Sequence, residues 1–330
     1  MNRAYRRRLL LATGAMLAAP FTNAQQAKDK TLHLGIMVTG SFAQRGHLEQ
    51  ALLEGLRSKG YVEGKNLVIE RRYAEGRRER TPESARELAA MNLDAIVTTC
   101  TPSTRAARQA TASTPIVMAG VADPVGQRLI ASLARPGANI TGLSSQAEDI
   151  LPKMMELFSG VLPRPATVAV FLQGNSDVHP RMWQQLAPVA QALDLKLVKI
   201  DVANLADLPA AFDMALREKA NALFFLPDEP MFPNGRASII ELAARHRLPA
   251  FYGVREFVDD GGLMSYGENL RTAYRDAASY VNSLARGAKP ADLPVQQPTK
   301  FEFLINLKTA RALGLVIPPS LLARADQVIE

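Results

Sequence analysis

The sequence predicts an α/β protein made of two doubly wound, parallel-sheet lobes. Two observations carry this. Short apolar runs alternate with helical-period stretches of about 10–16 residues from residue 32 to residue 286, the signature of repeated strand–helix–strand units. The series also divides, with about five units before residue 145 and about four after it, and two modest sheets suit this length better than one of about ten strands.

The elements follow in order. Residues 32–40 (LHLGIMVTG) read as a strand ending in glycine, and 44–59 as a helix with Leu48, Leu52, Leu53 and Leu56 on one face, stopped by Gly60. Strands follow at 66–74, 93–100, 114–121 and 140–144. Between them lie helices at 81–91, with Thr81 as N-cap and Pro82 at its first position, at 101–111, and at 126–134 before Pro136-Gly137. The second series places helices at 151–162, 179–194, 205–219 and 234–247, and strands at 166–174, 196–202, 221–228, 248–254 and 261–267. A long helix at 268–286, a proline-rich stretch, a strand at 300–307 and a short helix at 308–315 complete the chain.

The first 24 residues have the three-part plan of a secretory signal peptide. Arg3, Arg6, Arg7 and Arg8 precede an apolar run from Leu9 to Ala19, and Thr22-Asn23-Ala24 offers a cleavage site. The run is shorter than the roughly 20 residues that span a bilayer. Arg6-Arg7 fits a twin-arginine signal as well as a general secretory one. Removing these residues takes four positive charges from the net +7 and leaves +3, too little to imply a nucleic-acid or membrane partner. The single cysteine, Cys100, excludes an intrachain disulfide.

In open parallel sheets ligands meet the carboxyl ends of strands. The residues there are Thr39, Gly40 and Ser41, then Thr99, Cys100, Thr101 and Ser103, then Asp123, in the first half. In the second half they are Gln173 and Asn175, then Asp228, then Tyr252 and Glu256. Hydroxyls, amides and a few carboxylates suit a small polar or zwitterionic molecule, and helix N-termini after the first and third strands favour a carboxylate. Tyr252 and Tyr266 are the candidate ligand-facing aromatics, and Trp183, within a helix, reads as packing.

Catalytic and cofactor motifs are missing from the sequence. The four histidines (His33, His47, His179 and His246) show no metal-ligand spacing, and there is no P-loop, G-x-S-x-G or G-x-G-x-x-G. No cofactor and no catalytic residue is expected. Cys100 reads as a small buried hydrophobe beside the cleft. Asp123, before Pro124, is either a turn residue or part of a solute-binding rim, where it meets an amino group or holds the 99–103 loop; an enzyme using Asp123 or Cys100 is the reading from another class.

Three strings make the chain similar to a known family: VADPVGQRLIASLARPGANITGLSS (121–145), GGLMSYG (261–267) and the tail from 289 to 330. In this order they resemble the bacterial ABC-transporter substrate-binding proteins that include tryptophan- and tyrosine-type components. The resemblance implies a periplasmic-binding-protein type I fold with a three-crossover hinge. It assigns 31–144 plus 267–290 to lobe 1 and 145–266 plus 291–330 to lobe 2, after a signal peptide at 1–24. It also implies a monomer exported to the periplasm. Such a protein closes on a small solute, aromatic or apolar amino acids among the candidates, and delivers it to an inner-membrane ABC permease. A sensor docking on a receptor is the alternative.

Overall fold

A computed structural model describes residues 31–330; the expected signal peptide at 1–24 lies outside them. The first sheet has the order β2-β1-β3-β4-β5 and is parallel throughout: β1 Leu32–Val38, β2 Leu67–Tyr73, β3 Ala95–Thr98, β4 Ile116–Ala122 and β5 Ile140–Ser145. β3 is buried along its whole length and reads as a near-continuous apolar run rather than an alternating one; β5 is equally buried although it carries Thr141, Ser144 and Ser145. The edge strand β2 carries Glu70, Arg71 and Arg72, charges that discourage further pairing.

The second sheet has seven strands in the order β12-β11-β10-β9-β8-β6-β7. They are β6 Ala166–Gln173, β7 Leu195–Val202, β8 Ala222–Phe225, β9 Ala250–Tyr252, β10 Met264–Glu268, β11 Phe301–Asn306 and β12 Gln327–Ile329. Only the β10–β11 pair is antiparallel. Phenylalanines dominate its core, where Phe171, Phe212 and Phe225 pack together on one face and Phe158, Phe224 and Phe251 on the other.

Three segments connect the halves. The chain leaves β5 at Ser145 for the helix α4, Leu151–Ser159. It returns from β10 at Glu268 into the helix α8, Leu270–Ala285, which packs on α1, Phe42–Ser58, of the first half. Gly55 permits that approach, since a Cβ there would lie 2.4 Å from the Arg275 carbonyl oxygen. The third passage follows Gln296, which still bonds the first sheet: Ser144 N–H donates to Gln296 O (2.8 Å) and Gln296 N–H donates to Gly142 O (3.0 Å). This is the two-lobed, three-crossover type I architecture.

Two local expectations fail, and one strand was not foreseen. Residues 126–134 form turns, not a helix. Asp123 Oδ1 accepts the Gly126 N–H at 2.8 Å, Arg128 has φ +54°, and the apolar period that suggested a helix (Leu129, Ile130, Leu133) is spent on packing turns against β4 and β5. Thr81 is not an N-cap, because the 3₁₀ turn Arg78–Arg80 runs directly into α2, Thr81–Ala89, and leaves its hydroxyl without a partner. Strand β12 escaped prediction because its three residues are too short to show a period.

Candidate functional site

The ends of β1, β3 and β4 face those of β6 and β8 across a cleft. At its deep end lies a cavity of about 70 Å³. Thr99, Cys100 and Gly120 line it from the first lobe, Asp228 and Glu229 from the second, and Glu268, Tyr274 and Phe301 from the hinge side. A second chamber of about 270 Å³ lies beside it, bounded by Thr39, Gln173 and Asn175, with Glu229 and Pro230 lining both.

Each predicted residue now has a place. Thr99, Cys100 and Asp228 line the deep cavity, and Thr39, Gln173 and Asn175 the outer chamber. Ser41 is consumed as the N-cap of α1: its hydroxyl accepts the Gln44 N–H (3.3 Å) while Gln44 Oε1 accepts the Ser41 N–H (3.0 Å). Gly40 sits where a Cβ would lie 2.8 Å from Asn234 Oδ1 on the opposite lobe. Ser103 Oγ, buried at the start of α3 (Thr101–Ala110), accepts from the Thr99 and Cys100 amides at 3.2 Å each and so shapes the 99–103 loop; Thr101 is buried beside it.

Tyr252, Asp123, Glu256 and Tyr266 line neither chamber. Tyr252 lies in the core of the second lobe, stacked on Phe257 with ring centroids 4.1 Å apart, and its hydroxyl has no partner. Asp123, with φ +37°, takes up the Gly126 amide and forms an ion pair with Arg181 of α5 (His179–Ala192) on the other lobe. It borders a separate depression with Gln146–Asp149, so it is both the turn residue and a strut between lobes. Glu256 likewise reaches across, 3.4 Å from His47; burial acts to raise its carboxyl, but His47 and Arg45 hold it low. Tyr266 stacks on Phe301, outside the residues lining the deep cavity.

Sequence reasoning missed Arg45, Gly120, Ser145, Glu268, Tyr274 and Phe301. Arg45 Nε donates to Asn234 Oδ1 (3.1 Å) and Gln44 Nε2 to Asn234 O (2.7 Å), closing the lobes over the cavity. Tyr274 comes from the second turn of α8, within hydrogen-bonding reach of Thr99, and burial pushes its hydroxyl up to about 12.

The electrostatics are lopsided. Asp228, held at φ +82°, leaves Oδ2 without a partner while Oδ1 lies 3.5 Å from Ser145 Oγ. Burial above all, then repulsion from Glu229, Glu268 and Glu148, drives its carboxyl well above the usual range. Burial also lifts Glu268 to about 7 and pushes the Cys100 thiol up, which suits a packed thiol better than a nucleophile. Arg45 is the one basic side chain among the described residues lining this cavity. Behind the wall, His179 receives the Gln173 N–H at Nδ1 (2.8 Å) and gives Nε2–H to Pro227 O (2.9 Å), tying the β6 and β8 ends together; burial lowers it to about 4.

Two α/β lobes, three crossing segments and a cavity between strand ends, lined by apolar side chains with a few polar and charged ones, define a solute receptor of the type I periplasmic-binding architecture. The chain belongs to the ABC transporter substrate binding protein family, whose sequence profile matches residues 35–329. It is similar to a tyrosine-binding protein of Clostridioides difficile strain R20291, 24% identical over 294 residues, covering 89% of this chain and 84% of that protein. Among solved structures, a conserved domain protein of Vibrio cholerae O1 biovar El Tor superposes with a TM-score of 0.84 at 29% identity, covering 91% of this chain and 100% of that one. An ABC domain of Streptococcus pneumoniae in complex with L-Trp superposes with a TM-score of 0.82 at 24% identity, over the same shares. Members of this family bind substrates for a transporter rather than transform them.

Proposed function

We propose that this protein is the exported, periplasmic receptor of an ABC importer, and that its solute is an amino acid with an aromatic or large apolar side chain. The observation that carries this reading is the buried Asp228 carboxylate, one oxygen unpartnered, facing a cavity whose hinge side presents Tyr274 and Phe301. An ammonium group satisfies the first feature and an aromatic ring the second. The names of the C. difficile and S. pneumoniae relatives support the same solute class. Thr39, Gln173 and Asn175 supply polar contacts in the outer chamber, and the contacts joining Gln44 and Arg45 to Asn234 hold the closed form that an inner-membrane permease recognises.

A thermal-shift screen against the twenty amino acids and small carboxylates tests this. L-Tyrosine or L-tryptophan at a hundredfold excess over its Kd is expected to stabilise the protein by about 2.7 kcal/mol. A response confined to non-amino-acid solutes overturns the assignment of solute class.

A further inference from the structure

Two carboxylates at the floor of the cleft form no ion pair among the described residues. Glu268, the last residue of β10, lines both the deep cavity and a cavity of about 470 Å³ on the hinge side, so it stands in the wall between them. Its side chain makes no hydrogen bond or ion pair among the described residues. Room for it is made by Gly120 of β4, at φ +80°, where a Cβ would stand 3.2 Å from Glu268 Oε1. Asp228 approaches from the second lobe with Oδ2 unpartnered, near enough to Glu268 for the two charges to repel.

The Ala122 backbone N–H favours the charged form of Asp228, but burial and the neighbouring carboxylates outweigh it. Glu229 lies beside Asp228 on the same loop, and Glu148 approaches from the segment before α4. On the hinge side Glu268 faces Asp276 of α8, with Lys300 and Glu302 from the third crossing. Arg45 of α1 is the basic group of the deep cavity, and its Nε is already given to Asn234. Two neighbouring carboxylates in low dielectric keep a proton between them until a cation arrives.

We propose that Asp228 and Glu268 are the receptor pair for a primary ammonium group on the solute, and that capturing the ammonium expels a proton from the pair to bulk water. Before capture the pair holds one proton and one negative charge; afterwards it holds two negative charges and one ammonium. This deepens the amino-acid reading and rests on it. The cleft therefore selects for the amine end of its solute: tyramine retains binding that 3-(4-hydroxyphenyl)propionate, which keeps the carboxylate and lacks the amine, loses.

Isothermal titration of the intact chain with L-tyrosine and L-tryptophan, in buffers of differing ionisation enthalpy, reads both affinity and proton count. Net proton release is expected near pH 7. With Glu268 half ionised near that point, affinity is expected to rise about tenfold between pH 6 and pH 8. Glu268→Gln flattens that dependence, and the deaminated analogue binds at least about a hundredfold more weakly, consistent with loss of a charge-assisted contact. Affinity that ignores pH with no proton exchanged, or equal binding of the deaminated analogue, overturns the pair. The proton count uses the native protein, so it decides even if the variant does not fold. Binding without proton release leaves the amino-acid reading standing and removes only this proposal. Failure of both amino acids to bind, despite a folded protein, removes both.

Discussion

Replacing His179 with alanine should cost the native state about 4 kcal/mol. The ring is wholly buried, and each nitrogen has one partner: the Gln173 amide at 2.8 Å and the Pro227 carbonyl at 2.9 Å. Alanine orphans both backbone groups, at about 1–3 kcal/mol each, and removes a ring stacked near Phe232. The same geometry fixes a pH dependence. Burial lowers the folded-state value from 6.5 to about 4, so the unfolded chain binds the proton more readily in that interval. Stability from this site is therefore complete above about pH 6.5 and is lost as pH falls toward 4, by about 3 kcal/mol in all. Urea unfolding followed by fluorescence of Trp183, the one tryptophan, which sits on the same helix, measures both effects. Because His179 ties the loop of Gln173 to that of Asp228, the variant should also bind solute more weakly. A loss below about 1 kcal/mol, or the same acid slope in the variant, refutes the reasoning.

Gly267→Ala should prevent or gravely weaken folding of the second sheet, because a Cβ there would lie 1.9 Å from the Gly253 carbonyl oxygen; expression yield and circular dichroism report it. Tyr252→Phe should leave the unfolding midpoint unchanged or slightly raised, since the buried hydroxyl it removes has no partner. Asp123→Ala should change stability by less than about 1 kcal/mol, as its Arg181 partner is 47% exposed. It should nonetheless raise the solute-free radius of gyration in small-angle scattering by loosening the lobes; an unchanged profile denies Asp123 that role.

Much of the fold was legible because strand–helix alternation is a local property. β1, β4 and β6 announce themselves as apolar runs, and α8 by the spacing of Ala273, Tyr274, Ala277 and Val281. Of the residues picked by the strand-end rule, Thr99, Cys100 and Asp228 line the deep cavity. Arg45 and Tyr274 lie inside helices and reach the cleft because α8 returns to pack on α1, a long-range event with no local mark. Tyr252 failed for the opposite reason. It ends a strand, but β9 has both faces covered, so Phe251 enters one core and Tyr252 the other, with no polar alternation to separate core from rim. At 126–134 the apolar spacing was real burial, but Asp123 and its Gly126 contact turned the chain before a helix could begin.

The most direct test of the central claim is a crystal structure grown with L-tyrosine or L-tryptophan. The account predicts density for one molecule enclosed between the lobes, its ammonium within hydrogen-bonding distance of Asp228 and its ring against Tyr274 or Phe301. Density seated elsewhere, in the hinge-side cavity for instance, or an amino acid whose carboxylate rather than ammonium meets Asp228, contradicts it.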